Sequence, residues 1–202
     1  MKTVQPIRNK EKILEVKTIL EKKSLRDLLL FVLPLNCGMR IGDTLSLTVA
    51  TVKKGIEDGK FRIKEEKTGK ERLFPLNNDL IDLLKKYIKG MNDDEYIFSS
   101  RQTKGVLRNE KHEAIGTAER KTPAHITRQQ ASVILTTAFE KAGLKNCNCH
   151  TPRKTFGYWH YKTYKDVAML MQIFGHSAPS ITLRYIGIND DMIEENLKNF
   201  SL

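Results

Sequence analysis

Residues 24–47 read SLRDLLLFVLPLNCGMRIGDTLSL, and this stretch sets the architecture of the chain. Ser24 stands where a helix N-cap is preferred, and Leu25 to Leu35 is apolar at almost every position. Pro34 interrupts late and Gly38 supplies a stop that suits left-handed backbone. A helix that is apolar nearly all round has no face to give to water, so this one belongs at the centre of a domain with other elements packed around it. Arg40 to Leu47 follows directly as a short helix.

The flanking sequence supplies the elements that surround that centre. On the N-terminal side, Asn9 caps a helix to about Lys23, with Ile13, Val16, Ile19 and Leu20 at helical spacing. On the other side the period changes to two from Lys60. Phe61 and Ile63, then Leu73 and Leu76, flank the turn Lys67-Thr68-Gly69-Lys70 and predict a β-hairpin. Asn77 caps a helix to about Lys89, and a short segment Tyr96-Ile97-Phe98 follows. Residues 101–124 are polar, rich in Lys, Arg and Glu, and show no periodicity, so they are expected to form a mobile loop or linker. Thr127 opens a helix to about Ala142, stopped by Gly143. Thr151 and Pro152, as N-cap and first residue, open another to about Tyr161. Asp166 begins a helix that runs through Phe174 to Gly175. Ser180 caps a short turn carrying Arg184 and Tyr185, and Asn189 caps a last amphipathic helix, 190–200. The expected fold is α+β and mainly α-helical, one domain over 1–202 with a small antiparallel sheet.

Composition narrows the class of partner. Of 202 residues, 35 are Lys or Arg and 24 Asp or Glu, and the net charge of +11 attracts polyanions, nucleic acid first among them. No apolar run is long enough to span a bilayer, which argues against a membrane protein. Met1 to Lys12 is polar almost throughout, and no secretory leader is expected. Three cysteines, Cys37, Cys147 and Cys149, are an odd number, two of them too close together to staple a fold, so reducing cytoplasm is the expected compartment.

Phosphodiester chemistry asks for cations around the non-bridging oxygens, an aligned nucleophile and an acid for the leaving oxygen. Arg40, His150, Arg153 and His176 each lie at the boundary of a predicted element, beside Gly38, Pro152 or Gly175, where side chains of different helices can converge. Arginine suits such a site because its planar fork binds two phosphate oxygens and stays charged. The helix start after Thr151 adds unpaired N–H groups and a positive dipole end.

Five segments then resemble, in order, the catalytic boxes of the tyrosine recombinases, or phage integrases. They are Arg40-Ile41-Gly42-Asp43, Lys67-Thr68-Gly69-Lys70-Glu71-Arg72, His150-Thr151-Pro152-Arg153, Gly175-His176-Ser177 and Thr182-Leu183-Arg184-Tyr185, and the likeness covers about residues 26–188. The resemblance implies the fold of that catalytic domain and site-specific DNA recombination, integration or excision of a mobile element, through a 3′-phosphotyrosine. It implies that Arg40 and Arg153 clamp the scissile phosphate with His150 and His176, that Tyr185 is the nucleophile, and that Lys67 protonates the leaving 5′ oxygen. Asp43 is expected to orient Arg40 or its neighbours. Lys70, Arg72, Arg128, Lys154 and Arg184 are assigned to DNA contact. No cofactor or metal is expected. The partner is double-stranded DNA at recombination sites, with a tetramer on DNA and a monomer off it.

Each assignment has a plainer counterpart. Arg40 and Asp43 fit a surface ion pair at i and i+3, Lys67 fits a solvated hairpin tip with Lys64 and Lys70 as rivals, and His150 and His176 fit polar residues at helix ends. Tyr158, Tyr161 and Tyr164 compete with Tyr185, but they cluster with Phe156 and Trp159 as a packing face. Cys147, Cys149 and His150 offer thiolates and an imidazole to zinc without a fourth ligand. Topoisomerase-like or resolving activity shares the same chemistry, and a catalytically idle DNA-binding regulator is the alternative outside enzymes. Fewer than thirty residues precede the resembling region, which starts at about residue 26, so the N-terminal DNA-clamping domain of the family is expected to be absent. Lys154 stands where many relatives carry a second histidine.

Overall fold

A computed structural model describes residues 4–64, 69–100, 104–108, 114–119, 124–188, 197–198 and 200. The central helix forms as its sequence requires. The Ser24 hydroxyl accepts from the Asp27 amide, and α2 (Leu25–Cys37) runs to Gly38 at φ +67°. Pro34 removes one backbone bond but does not end the helix, which continues three residues further to Cys37. Leu28 to Leu33 are all buried, with Phe31 edge-on to Phe139 at 6.0 Å between ring centroids.

Around α2 pack α1 (Lys10–Glu21), capped by Asn9, then α5 (Asn78–Ile88), capped by Asn77, α6 (Arg128–Lys141) and α7 (Thr151–Tyr164). Thr127 and Gln130 close α6 with a reciprocal capping box, an arrangement that satisfies two N–H groups at the helix start. Directly after α2 comes α3 (Ile41–Leu45), with Arg40 at its N-cap. The expected hairpin pairs β1 (Lys60–Lys64) with β2 (Glu71–Pro75), in a register that sets Phe61 opposite Phe74 and Ile63 opposite Arg72. Two further helices, α8 (Val167–Phe174) and α9 (Pro179–Ile186), pack on each other and on α7. They enclose a second, smaller core of Tyr158, Leu170, Phe174, Ile186 and Ile188, separate from the large one around α2.

The structure departs from the sequence expectations in several places. Helix α4 (Val49–Asp58), capped by Thr48 and stopped by Gly59 at φ +66°, was not anticipated. Within residues 101–124, expected as a loop, β3 (Lys104–Arg108) pairs antiparallel with β4 (Ala114–Glu119). Gly105 and Gly116 break the alternation on which a strand reading depends, and cross-strand pairing is invisible to a single-strand pattern. Tyr96 forms only an isolated bridge to Thr48. Thr151 does not cap α7. His150 occupies that position, while the Thr151 hydroxyl accepts from the Asn148 amide at 3.0 Å and donates to the Gln5 carbonyl at 3.2 Å. The helix runs on to Tyr164. Ala178, not Ser180, is the N-cap of α9, because Pro179 takes the first helical position and leaves Ser180 inside. Of the expected last helix, Leu197 and Lys198 are helical, and residues 189–196 lie outside the described residues.

Candidate active site

Two helices stopped by glycine supply the floor of the site. The last carbonyls of a helix have no partner within it, and its C-terminus carries partial negative charge. Gly38 ends α2 and Gly175 ends α8, and arginines seat themselves on the carbonyls exposed there. Arg153 donates to the Gly38 carbonyl and, at 3.2 Å, to the Phe174 carbonyl. Arg40 donates to the same Phe174 carbonyl at 3.2 Å. Two guanidinium groups 113 residues apart in sequence (153 − 40) therefore meet on one backbone oxygen. Arg153 is buried, its guanidinium 4.6 Å from the centroid of the Phe174 ring.

Tyr185 comes to these cations from α9. Its ring sits edge-on to Phe174 and to His176, with centroids 5.3 Å away in each case. His176 Nδ1 and the hydroxyl of Thr182, which is fully buried one helical turn before Tyr185, are 3.0 Å apart and fix the imidazole. His150 lies at the N-cap of α7, three residues before Arg153.

The electrostatics follow from this crowding. Burial raises the Tyr185 phenol above its ordinary value, against the pull of Arg153, through charge and hydrogen bonding, and of Arg40. Burial also lowers His176, reinforced by the charges of Arg153, Arg40 and Arg72. Partial desolvation lowers His150 likewise, followed by Arg153, Lys154 and Arg128. At neutral pH both imidazoles are thus held neutral and the phenol keeps its proton.

Arg40, Arg153, His176 and Tyr185 are accordingly brought to one site, while the exposed His150 stands at the start of α7 and feels the charges of Arg153, Lys154 and Arg128. Lys67 lies outside the described residues. Asp43 is buried in the first turn of α3, on the helix that Arg40 caps. Arg72 reaches across from β2 to donate to the Gln172 carbonyl, and its guanidinium fills the space beside Gly175. With the exposed Lys70 it lines a groove that continues past His176 and Ser177. Arg128 and Arg184 are exposed. Lys154 corrects an expectation. It is buried rather than turned to a DNA surface, because its ammonium donates to the Val4 carbonyl at 2.9 Å and sits 4.8 Å from the Tyr185 ring centroid. Among the described residues, no group of three or more His, Cys, Asp or Glu is placed to hold a metal ion, Cys147, Cys149 and His150 included.

Sequence reasoning missed the Phe174 and Gly38 carbonyls and the Thr182 hydroxyl. The glycine stops were legible, but nothing local says which side chain will cap a helix C-terminus from a distant element. It also missed the segment 4–8, which lies along α7. The Ile7 amide donates to the Thr155 hydroxyl at 2.9 Å, Trp159 Nε1 donates to the Ile7 carbonyl at 3.0 Å, and Arg8 donates to the Gly187 carbonyl at 3.2 Å.

Residues 8–192 match the model of the phage integrase family. The chain is 38% identical over 200 residues to the probable integrase/recombinase YoeC of Bacillus subtilis, covering 99% of this chain and 98% of that one. Its fold is similar to the crystal structure of XerA recombinase, with a TM-score of 0.67 at 16% identity over 99% of this chain and 68% of that one. It is also similar to the XerH site-specific recombinase bound to difH substrate in a pre-cleavage complex. There the TM-score is 0.62 at 20% identity, and the likeness covers 99% of this chain and 56% of the XerH chain. No helix among the described residues is long and apolar enough to cross a membrane.

Proposed function

Because this chain belongs to the phage integrase family, we propose that it performs site-specific DNA recombination through a covalent bond between Tyr185 and a DNA 3′ phosphate. The observation that carries the reading is the meeting of Arg40 and Arg153 on the Phe174 carbonyl with the Tyr185 ring alongside.

In this mechanism the two guanidinium groups bind the non-bridging oxygens of the scissile phosphate and offset the charge that builds there. The phenol oxygen forms a bond to phosphorus, the bond from phosphorus to the 5′ oxygen breaks, and that oxygen takes a proton from Lys67. The partly buried phenol must lose its own proton on attack. His176 packs edge-on against the Tyr185 ring, and when its Nδ1–H donates to Thr182 its Nε2 is left as an acceptor. The phosphotyrosine keeps the phosphodiester energy, so a 5′ hydroxyl from another strand reverses the step and completes an exchange. His150 completes the phosphate pocket, and Asp43 orients Arg40 or its neighbours from within α3. Lys70, Arg72, Arg128 and Arg184 contact the DNA backbone. No metal or other cofactor takes part. The chain acts as one catalytic domain, assembles as a tetramer on double-stranded DNA in the cytoplasm, and integrates or excises a mobile element.

The test uses a pool of nicked duplexes of randomised sequence, in which the short strand beyond the nick diffuses away after cleavage. A denaturation-resistant protein–DNA adduct is expected, with peptide mapping placing DNA on Tyr185, and Tyr185→Phe abolishing the adduct while retaining DNA binding. Cut DNA without adduct would indicate a nuclease, and binding alone a regulator; either result overturns the reading.

A further inference from the structure

Lys154 is the buried cation whose position the phosphate chemistry does not account for. Its side chain leaves α7 one residue after Arg153 but is only 8% exposed. A buried ammonium must be compensated, and here the compensation comes from the Val4 carbonyl at 2.9 Å and from the Tyr185 ring, whose centroid lies 4.8 Å away. Val4 is itself anchored. The next residue, Gln5, donates its amide to the Asn146 carbonyl at 3.0 Å and accepts from Thr151, and Ile7 is bound to Thr155 and Trp159. Thr151, Lys154, Thr155 and Trp159 lie on one face of α7, so the segment 4–8 runs along the helix as a strap. At its far end Arg8 holds the Gly187 carbonyl, two residues beyond Tyr185, and its guanidinium lies 5.4 Å from the Tyr158 ring centroid.

We propose that Lys154 is a positioning residue for Tyr185, its charge locking the phenol ring against α7 and tying the nucleophile to the N-terminal strap. The inference rests on Tyr185 as the nucleophile. It assigns Lys154 to the cleavage step and not to DNA affinity. A lysine bound to a phosphate behaves oppositely, because its loss weakens binding and lowers the salt dependence by about one released counterion.

The experiment uses the full chain and a nicked duplex recovered as adduct from the randomised pool. Single-turnover adduct formation is measured against pH, and the dissociation constant against salt, for the parent protein, Lys154→Met, Lys154→Gln and Lys154→Arg. Methionine keeps the volume without the charge, glutamine keeps a donor for Val4 without the charge, and arginine keeps a cation that stacks on rings. Both neutral variants are expected to cleave about 10- to 100-fold more slowly, the loss that goes with a misplaced reacting group. Their affinity and salt slope should be unchanged and their rate profiles displaced to higher pH, because the cation near the ring favours the phenolate. Arginine should recover most of the rate. Melting curves identify a variant that fails to fold, and the remaining neutral variant then decides. Neutral variants that cleave at the parent rate with an unshifted profile, or that lose affinity and salt slope instead, overturn the proposal while leaving Tyr185 in its role. A parent protein that forms no adduct on Tyr185 overturns both.

Discussion

Gly157 lies in α7 where that helix crosses α8 and α9, and replacing it with alanine tests whether this close approach sets the nucleophile. A Cβ there would stand 2.6 Å from Ile186 Cγ2 and 2.6 Å from Phe174 Cζ. Carbon atoms in contact prefer about 3.5–4.0 Å, so each neighbour must retreat by roughly 1 Å. Alanine gains about 1 kcal/mol of helix propensity over glycine, whereas overpacking costs about 1–3 kcal/mol. The balance is a loss of up to about 2 kcal/mol. For a chain of this size each kcal/mol lowers the melting temperature by about 2–4 °C, giving a drop of up to about 8 °C. The effect on cleavage should be larger. Phe174 carries the carbonyl shared by Arg40 and Arg153 and packs against Tyr185, and Ile186 directly follows Tyr185 in α9. A displacement of about 1 Å at both costs on the order of 100-fold in rate. Thermal melting and single-turnover adduct formation on a nicked duplex measure the two effects separately. A Gly157→Ala protein that melts at or above the parent temperature and cleaves at the parent rate would refute the reasoning.

Other outcomes follow from the same packing. Arg153→Ala should slow adduct formation by about 2–4 kcal/mol of transition-state stabilisation, and Arg153→Lys should not restore it, because an ammonium cannot span both the Gly38 and Phe174 carbonyls. The folded pKa values of His150 and His176 are lowered, so the stability they contribute is complete above the unfolded value of 6.5 and is lost as the pH falls through the folded values. The melting temperature should therefore decline from pH 7 toward pH 5, and His176→Asn should make that decline shallower; an equal slope in the variant would contradict the assignment. Burial pushes the Cys37 thiol up to about 12, so a disulfide reagent at pH 8 should titrate Cys147 and Cys149 in the native protein and Cys37 only after unfolding.

Most of the frame was legible in the chain itself, because local chemistry decides local structure. Ser24, Asn9, Asn77, Thr127 and Asp166 cap the helices they were expected to cap, and Gly38, Gly143 and Gly175 take the left-handed backbone that ends helices. The apolar run before Gly38 is buried for the reason its composition gives. Failures occurred where the deciding partner is remote: β3 and β4 are held by each other across glycine-interrupted strands, and the Thr151 hydroxyl is claimed by Gln5 and Asn148 instead of its own helix.

The sequence by itself determined which residue types could handle a phosphate and which of them stand at element ends. Only the tertiary structure decided that Arg40 and Arg153 share one carbonyl, that Thr182 fixes His176, and that Lys154 turns inward to Tyr185. The physical reason is that a charged side chain is placed by whatever compensates it. A carbonyl left open by a glycine stop, or the face of an aromatic ring, becomes available only when distant helices have packed.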